Sequence, residues 1–426
     1  MTRRLVPFVL SLLLPLGAQK SAAPALSLAQ AQATAAANRP KLREQADLAA
    51  ELAAAPNLLR AGLMPQLSAN LTGAGASNPS RIAAGSLNNP VIFSRYANGL
   101  NLSETLTDFG RTGTLIRSSR LLAQAGQQDV AAERAQVRLE VDEAYFGTLQ
   151  AQAVLRVAQQ AVAERQLIAR QIGLLAQNKL RSDLDVSFAQ VNLAQAQLLL
   201  SQAQAQVQSS YDDLALAMGT RLDPQPVLQD EVLPAAPNAD LAALVAEALR
   251  QRPELQSAGL DLSATQAYAQ AQRELWRPTL SAAAAAGLTP AGAAPLPDHY
   301  AALGLNLNIP VFNGGLFSAR RAQATAAASA SQNRLEELQH QVTHDVQQAW
   351  LRAITAQQNL DLTQKLQQQA ALAMRLAQSR YSLGLGTIVE LSQAQLNQTQ
   401  ADISEAQARY AYEIASGQLA FELGRM

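Results

Sequence analysis

The sequence predicts a mainly α-helical fold with a small β part, set down twice along the chain. Three observations predict it. From Gly110 to Gly219 there is no proline, and apolar residues recur every seven positions: Val154, Ala161, Ile168 and Leu175, then Val186, Leu193, Leu200, Val207 and Leu214. A sustained seven-residue apolar repeat marks helices packed along a seam. Elsewhere short stretches alternate apolar and polar residues, the period of a strand with two unlike faces. Both features then recur in the second half, as an internal repeat.

Length alone, 426 residues, would suggest two or three domains. Composition argues for something more extended. The chain is rich in Ala, Gln and Leu, with 15% charged and 4% aromatic residues. Ala and Gln are good helix formers, and Ala on a seam lets helices approach closely. The 33 basic and 33 acidic residues cancel, with no basic tract to bind nucleic acid. Cysteine is absent, which excludes a disulfide framework, a cysteine metal site and lipoprotein acylation.

In chain order, residues 1–25 read as a secretory signal. Arg3 and Arg4 form a positive start without the rest of a twin-arginine pattern. Leu5–Leu16 is an apolar run too short to span a bilayer as a helix, and Ala23-Pro24-Ala25 is a candidate cleavage site. The alternative is a buried N-terminal helix. Residues 27–62 are expected to be helical, capped by Ser27 and interrupted at Arg39-Pro40 and at Pro56. After Pro65 the period changes to two, with Leu67, Ala69 and Leu71 alternating with Gln66, Ser68, Asn70 and Thr72, a strand over 66–77. Residues 78–94 form a loop. A second strand, 95–107, puts Leu100 and Leu102 opposite Gly99, Asn101 and Ser103. Asp108-Phe109-Gly110-Arg111 then opens a helix over 110–177, about 100 Å long at about 1.5 Å per residue. A polar tip at Asn178–Asp185 turns it into a returning helix over 184–219.

Residues 220–240 hold Pro224, Pro226, Pro234 and Pro237 and read as an irregular connector. Helix resumes over 241–276. Pro278 introduces a weakly patterned strand over 279–288, and a loop follows over 289–299. The cleanest strand is 300–309, where Leu303, Leu305, Leu307 and Ile309 alternate with Ala302, Gly304, Asn306 and Asn308. Pro310–Gly315 turns into a helix over 315–383, a glycine-rich tip at Gly384–Thr387 and a last helix over 388–424.

The halves, 26–219 and 241–426, are one unit repeated, helix, strand, loop, strand, long helix, tip, helix. From the long helix onward the spacing is constant at 205, as from Asp185 to Glu390. Four amphipathic strands cannot bury their apolar face or satisfy their edges alone. The Asn, Ser, Thr and Gly face suits water; the Leu, Ile, Ala and Tyr face suits lipid, with Tyr96 and Tyr300 as candidates for an aromatic girdle. Closure into a barrel removes the edges, and a membrane admits only helices or closed barrels. Several chains must therefore pool their strands. Three would give a twelve-stranded transmembrane barrel with a lumen. The long helices would continue from one rim as an α-helical tube, belted by the connector. A soluble four-stranded sheet packed on a helix is the alternative.

The order and duplication of these motifs resemble the TolC-type outer-membrane efflux and secretion channel family from about residue 27 to Gly424. The matching residues are the Arg-Pro-Xaa-Leu helices at Arg39 and Arg252, the Pro-Xaa-Leu strand entries at Pro65 and Pro278, Asp108–Arg111, Ile309–Gly315, and the tip Tyr381–Glu390. The resemblance implies a homotrimer with a barrel in outer-membrane lipid and a periplasmic α-barrel. Such a duct exports small molecules, drugs or proteins. It docks through a periplasmic adaptor, or membrane fusion protein, on an inner-membrane transporter. Two features depart from the family pattern. The first tip lacks the glycine common there, which implies a stiffer turn, and the chain is expected to lack a C-terminal extension after Met426.

No enzyme, cofactor or resident metal is expected, since no nucleophile–base pair or ligand cluster is visible. His340 and His344 are one helical turn apart with only Glu336 nearby, and read as a solvated face; His299 reads as a surface residue. Asp185 and Glu390 occupy matching positions just past the tips. In a trimer they would form a ring of carboxylates favouring cations and gating the entrance through ion pairs. The plainer reading is that each acid complements a helix start. The resemblance places Tyr381 near the constriction. It also assigns adaptor docking to Lys179, Leu180, Arg181 and Ser182 and to Gly384, Leu385, Gly386 and Thr387. Asn101, Asn306 and Asn308 are expected to face the lumen. The competing function, from a different class, is a pore-less periplasmic coiled-coil adaptor or scaffold.

Overall fold

The computed structural model describes residues 25–75, 80–81, 91–92, 95–237, 240–291 and 299–426. The expected signal segment before Ala25, most of the 78–94 loop and residues 292–298 lie outside the described residues. The rest of the expected 289–299 loop is strand, since residues 289–291 and His299 extend the two strands it joins, Ala291 pairing with Tyr96 and His299 with Leu288.

The chain opens with β1 (Ala25–Leu26), α1 (Leu28–Asn38) and α2 (Pro40–Ala61). Ser27 caps α1: its hydroxyl accepts from the Gln30 N–H, and the Gln30 side chain accepts from the Ser27 N–H. Arg39 is extended and Pro40 begins α2, so that break is real. Pro56 is not a break. It lies buried inside α2, which packs along the third helix, and tertiary packing overrides the lost backbone hydrogen bond.

Strands β2 (Gln66–Ala74), β3 (Ser80–Arg81), β4 (Val91–Ile92) and β5 (Arg95–Thr107) lead to α3 (Arg111–Gln177). α4 (Asp183–Met218) returns antiparallel to it. The connector carries β6 (Val227–Leu228), parallel to β1. Then come α5 (Leu241–Gln251), α6 (Pro253–Arg273), a short 3₁₀ turn at Glu274–Trp276, β7 (Thr279–Ala291), β8 (His299–Asn308), α7 (Leu316–Ser382) and α8 (Ile388–Glu422).

The strand-to-helix corners are the same device used twice. Gly110 and Gly315 take left-handed backbone, φ 99° and 85°, where a side chain would be strained. Asp108 accepts from the Thr112 N–H at 2.7 Å, and Asn313 accepts from the Phe317 N–H at 3.4 Å. The long helices lie side by side. α3 packs on α4 and α8, and α8 packs on α7. Short helices flank their upper parts, α2 on α3 and α6 on both α3 and α7.

Tyrosines pin the connector to this wall. The fully buried Tyr145 hydroxyl lies 2.8 Å from the Leu26 carbonyl oxygen and accepts from the Gln229 N–H at 3.0 Å. Tyr211 donates to the Pro226 carbonyl at 2.7 Å, and Tyr412 to the Ala235 carbonyl at 2.9 Å. Arg409 pairs with Asp230 at 2.7 Å.

Four strands form one antiparallel sheet in the order β2-β5-β7-β8, so β5 against β7 joins the two repeats. The register puts Leu67, Leu102, Ala284 and Leu303 in one row, hence on one face. Ser68, Asn101, Ala285 and Ala302 form a row on the other. The apolar face is bare, with Leu67 67% and Leu303 82% exposed. Among the described residues, β2 and β8 are unpaired edges. Tyr300 corrects the expected girdle. It shares a row with Gly287, Gly99 and Asn70, so it belongs to the polar face. There its ring lies over the two glycines; a Cβ on Gly287 would come 2.7 Å from the ring.

Candidate functional site

The two tips place the predicted site residues, and they are one turn built from two sequences. In the first, Lys179 is left-handed at φ 60°, and the Leu180 N–H reaches the Leu175 carbonyl at 2.9 Å. In the second, Gly384 is left-handed at φ 74°, and the Leu385 N–H reaches the Arg380 carbonyl at 2.8 Å. The missing glycine therefore does not change the turn: Lys179 adopts the conformation itself.

Asp185 and Glu390 both begin returning helices. The Asp185 carboxylate accepts from the Ser182 N–H at 3.1 Å while its own N–H donates to the Ser182 hydroxyl, a reciprocal cap. The Glu390 N–H donates to the Thr387 hydroxyl at 3.2 Å, and its carboxylate stands 3.9 Å from Arg380. Each acid thus has a local partner at a helix start. Both also keep solvent access, Glu390 over about half of its side chain, at 52%, and Asp185 less.

The structure brings the tips together through Arg181 and Tyr381. Arg181 donates to the Tyr381 backbone carbonyl at 2.8 Å, and its guanidinium lies 4.3 Å from the centre of the Tyr381 ring. Tyr381 is 7% exposed, packed in a cluster with Ile168, Ile172, Met374 and Leu391. Its hydroxyl is buried with no hydrogen-bond partner among the described residues. Burial raises its pKa, Arg181 opposes that, and the Asp185 charge adds to it.

Above the tips lies a polar layer that the sequence reading missed. Arg165, 5% exposed, donates to the Asn192 carbonyl and to the Thr399 hydroxyl, both at 3.1 Å. The Asn192 amide donates to Ser392 at 2.7 Å. The layer ties α3 and α4 to α8. A signal was present: Ala161, Arg165, Ile168 and Ile172 fall on one helical stripe, and all are buried. An arginine inside an apolar stripe must find partners.

Asn101, Asn306 and Asn308 are exposed on the polar face of the sheet, together with Ser68 and Tyr300. His340 and His344 lie on an exposed face, with His344 3.1 Å from Asp345. Among the described residues, no three His, Asp or Glu side chains converge as a metal site, and no helix is long and apolar enough to cross a membrane.

Comparison with known proteins matches this geometry. A family model described as outer membrane efflux protein fits residues 31–220 and 244–425. The toluene efflux pump outer membrane protein TtgC of Pseudomonas putida is 24% identical over 347 residues, 79% of this chain and 70% of the relative. A crystal structure of a membrane protein from Pseudomonas aeruginosa superposes with a TM-score of 0.81 at 23% identity, covering 93% of both chains. The open state of the Neisseria gonorrhoeae MtrE outer membrane channel gives 0.77 at 19%, covering 93% of this chain and 88% of that one.

Proposed function

We propose that this chain, which belongs to the outer membrane efflux protein family, supplies one of three protomers of a closed efflux duct. The family is a transport family, and the chain is an outer-membrane efflux channel protein with its helical part in the periplasm. The observation that carries the three-chain reading is the sheet. Its leucine face is bare and both its edges, β2 and β8, are open. Water hydrates the edges but not the leucine face, whereas lipid against the leucines and neighbouring chains against the edges suit both. Three copies close a barrel of twelve strands around the asparagine face.

In that duct the four long helices of each chain continue the wall into the periplasm, and the tips form its inner mouth. Lys179–Ser182 and Gly384–Thr387 are the surfaces offered to a periplasmic adaptor, which links the duct to an inner-membrane transporter. Asp185 and Glu390 ring the mouth with negative charge, and Tyr381 lies at its constriction. The cargo is small molecules delivered by the pump, or proteins in a type I secretion system. The efflux pump outer membrane proteins among the relatives support efflux over a pore-less scaffold.

The native mass of protein extracted by detergent from isolated outer membranes tests the reading. A particle of three chains that conducts in a planar bilayer is expected. A monomer, or recovery only from the soluble periplasm, would overturn it.

A further inference from the structure

We propose that the cavity between the two tips binds a small amphipathic organic anion, an apolar body carrying one carboxylate, seated on Arg181. The cavity has a volume of about 380 Å³, with Ile168, Ile172 and Leu174 of α3 and Leu391 of α8 among its walls. Cavities of this size and apolar character hold small organic molecules, oriented by a few polar groups.

Arg181 is the one charged side chain in the described lining. Among the described residues it has no carboxylate partner within ion-pair distance. Its side-chain hydrogen bond goes to the Tyr381 carbonyl, and its face rests on the Tyr381 ring. A guanidinium carries five N–H donors in a fork that matches a carboxylate. The Asp185 carboxylate, whose field reaches Tyr381, is engaged by the Ser182 N–H.

A second observation points the same way. Tyr381 lines this cavity, and its hydroxyl is buried without a partner. An unpaired buried hydroxyl is a standing cost that an acceptor removes. The ligand's carboxylate engages the guanidinium fork, and a small turn of the Tyr381 ring, whose oxygen has no exposed surface here, brings the phenol to it.

The site occurs once per chain. At the repeat spacing of 205, Arg181 corresponds to Gly386 and Tyr381 to Ala176, so neither partner recurs in the other tip. The proposal stands on this geometry and is independent of what the duct carries.

The test is calorimetric titration of 1-naphthoate into the full-length protein in lipid nanodiscs, with 1-naphthamide as the uncharged counterpart and protein-free nanodiscs as blank. One naphthoate per chain is expected, bound more tightly than the amide. Arg181→Met should weaken naphthoate by about tenfold or more and leave the amide unchanged. Arg181→Lys, which keeps the charge and loses the fork, should weaken naphthoate by less than Arg181→Met, and Gln378→Trp, which fills the exposed rim, should weaken both ligands. If Arg181→Met fails to assemble, the lysine and tryptophan variants carry the test. Naphthoate binding no stronger than the blank or the amide, insensitive to these substitutions, or at another stoichiometry would overturn the proposal.

Discussion

Lys179 and Gly384 hold the same left-handed backbone, φ 60° and 74°, at matching positions of the two tips. A side chain in that region costs roughly 1–2 kcal/mol, partly offset by the greater freedom glycine loses on folding. Lys179→Gly should therefore stabilise the first tip by about 0.5–1 kcal/mol. Slower amide hydrogen exchange over residues 175–181 is the expected readout. Gly384→Ala should speed exchange at the second tip. Faster exchange in Lys179→Gly would show that the lysine is not strained.

The proposed carboxylate ring has its own test. Asp185→Asn keeps an oxygen for the Ser182 cap, and Glu390→Gln keeps the helix start. The double variant therefore removes charge and spares the fold. If the acids hold the mouth closed, its resting single-channel conductance rises. Unchanged conductance would leave helix capping as their only role.

Tyr145 should matter out of proportion to its size. Its hydroxyl serves the Leu26 carbonyl and the Gln229 backbone together, at a buried site. Tyr145→Phe removes the hydroxyl partner of the Gln229 carbonyl, at a cost of about 1–3 kcal/mol, while the Gln229 N–H and the Leu26 carbonyl still pair with each other at 3.1 Å. A lower thermal midpoint is expected, with proteolysis appearing first in the connector around residues 225–237. A midpoint equal to that of the parent would show that water replaces the phenol.

Two buried acids make stability depend on pH. Burial raises Asp142 to about 6, with Gln32 and Arg138 opposing and Glu143 adding. Burial raises Glu413 to about 7, with Arg409 opposing and Asp230 and Glu231 adding. A raised folded-state pKa favours the protonated protein. Its contribution is complete below the unfolded values near 4 and is lost as pH rises through about 6 and about 7. The thermal midpoint should fall between pH 5 and pH 8. Asp142→Asn with Glu413→Gln should flatten that fall, raising the midpoint at pH 8 and changing it little at pH 4. An unaltered slope would remove these two residues as its source.

The fold class was legible because its signals are periodic. The heptad columns through Ile168 and Leu214 and the alternation through Leu303 each report a burial face directly. Pro56 misled because proline propensity is local, while the packing of α2 on α3 is not. Tyr300 misled because residue type suggested a lipid boundary, whereas strand register sets the face, and register depends on pairing with Gly287. At the tips, exposure and turn chemistry were readable. The contact of Arg181 with Tyr381 was not, because it joins residues 200 positions apart through a packing arrangement that no local pattern encodes.

The sheet also fixes how copies would meet. Each neighbouring pair in the order β2-β5-β7-β8 is antiparallel, so its two outer strands run in opposite directions. β8 of one copy can therefore continue the same pairing onto β2 of the next. That contact is head-to-tail, unlike the self-matching contact of a two-fold dimer, and it is satisfied only when the ring shuts. A chain with a spoiled β8 edge would still offer a sound β2, be taken into the ring and leave a seam open. In a cell making both forms, the damaged copy would act as a poison, and with the proposed three chains per ring the yield of sound ducts would fall as the cube of the intact fraction.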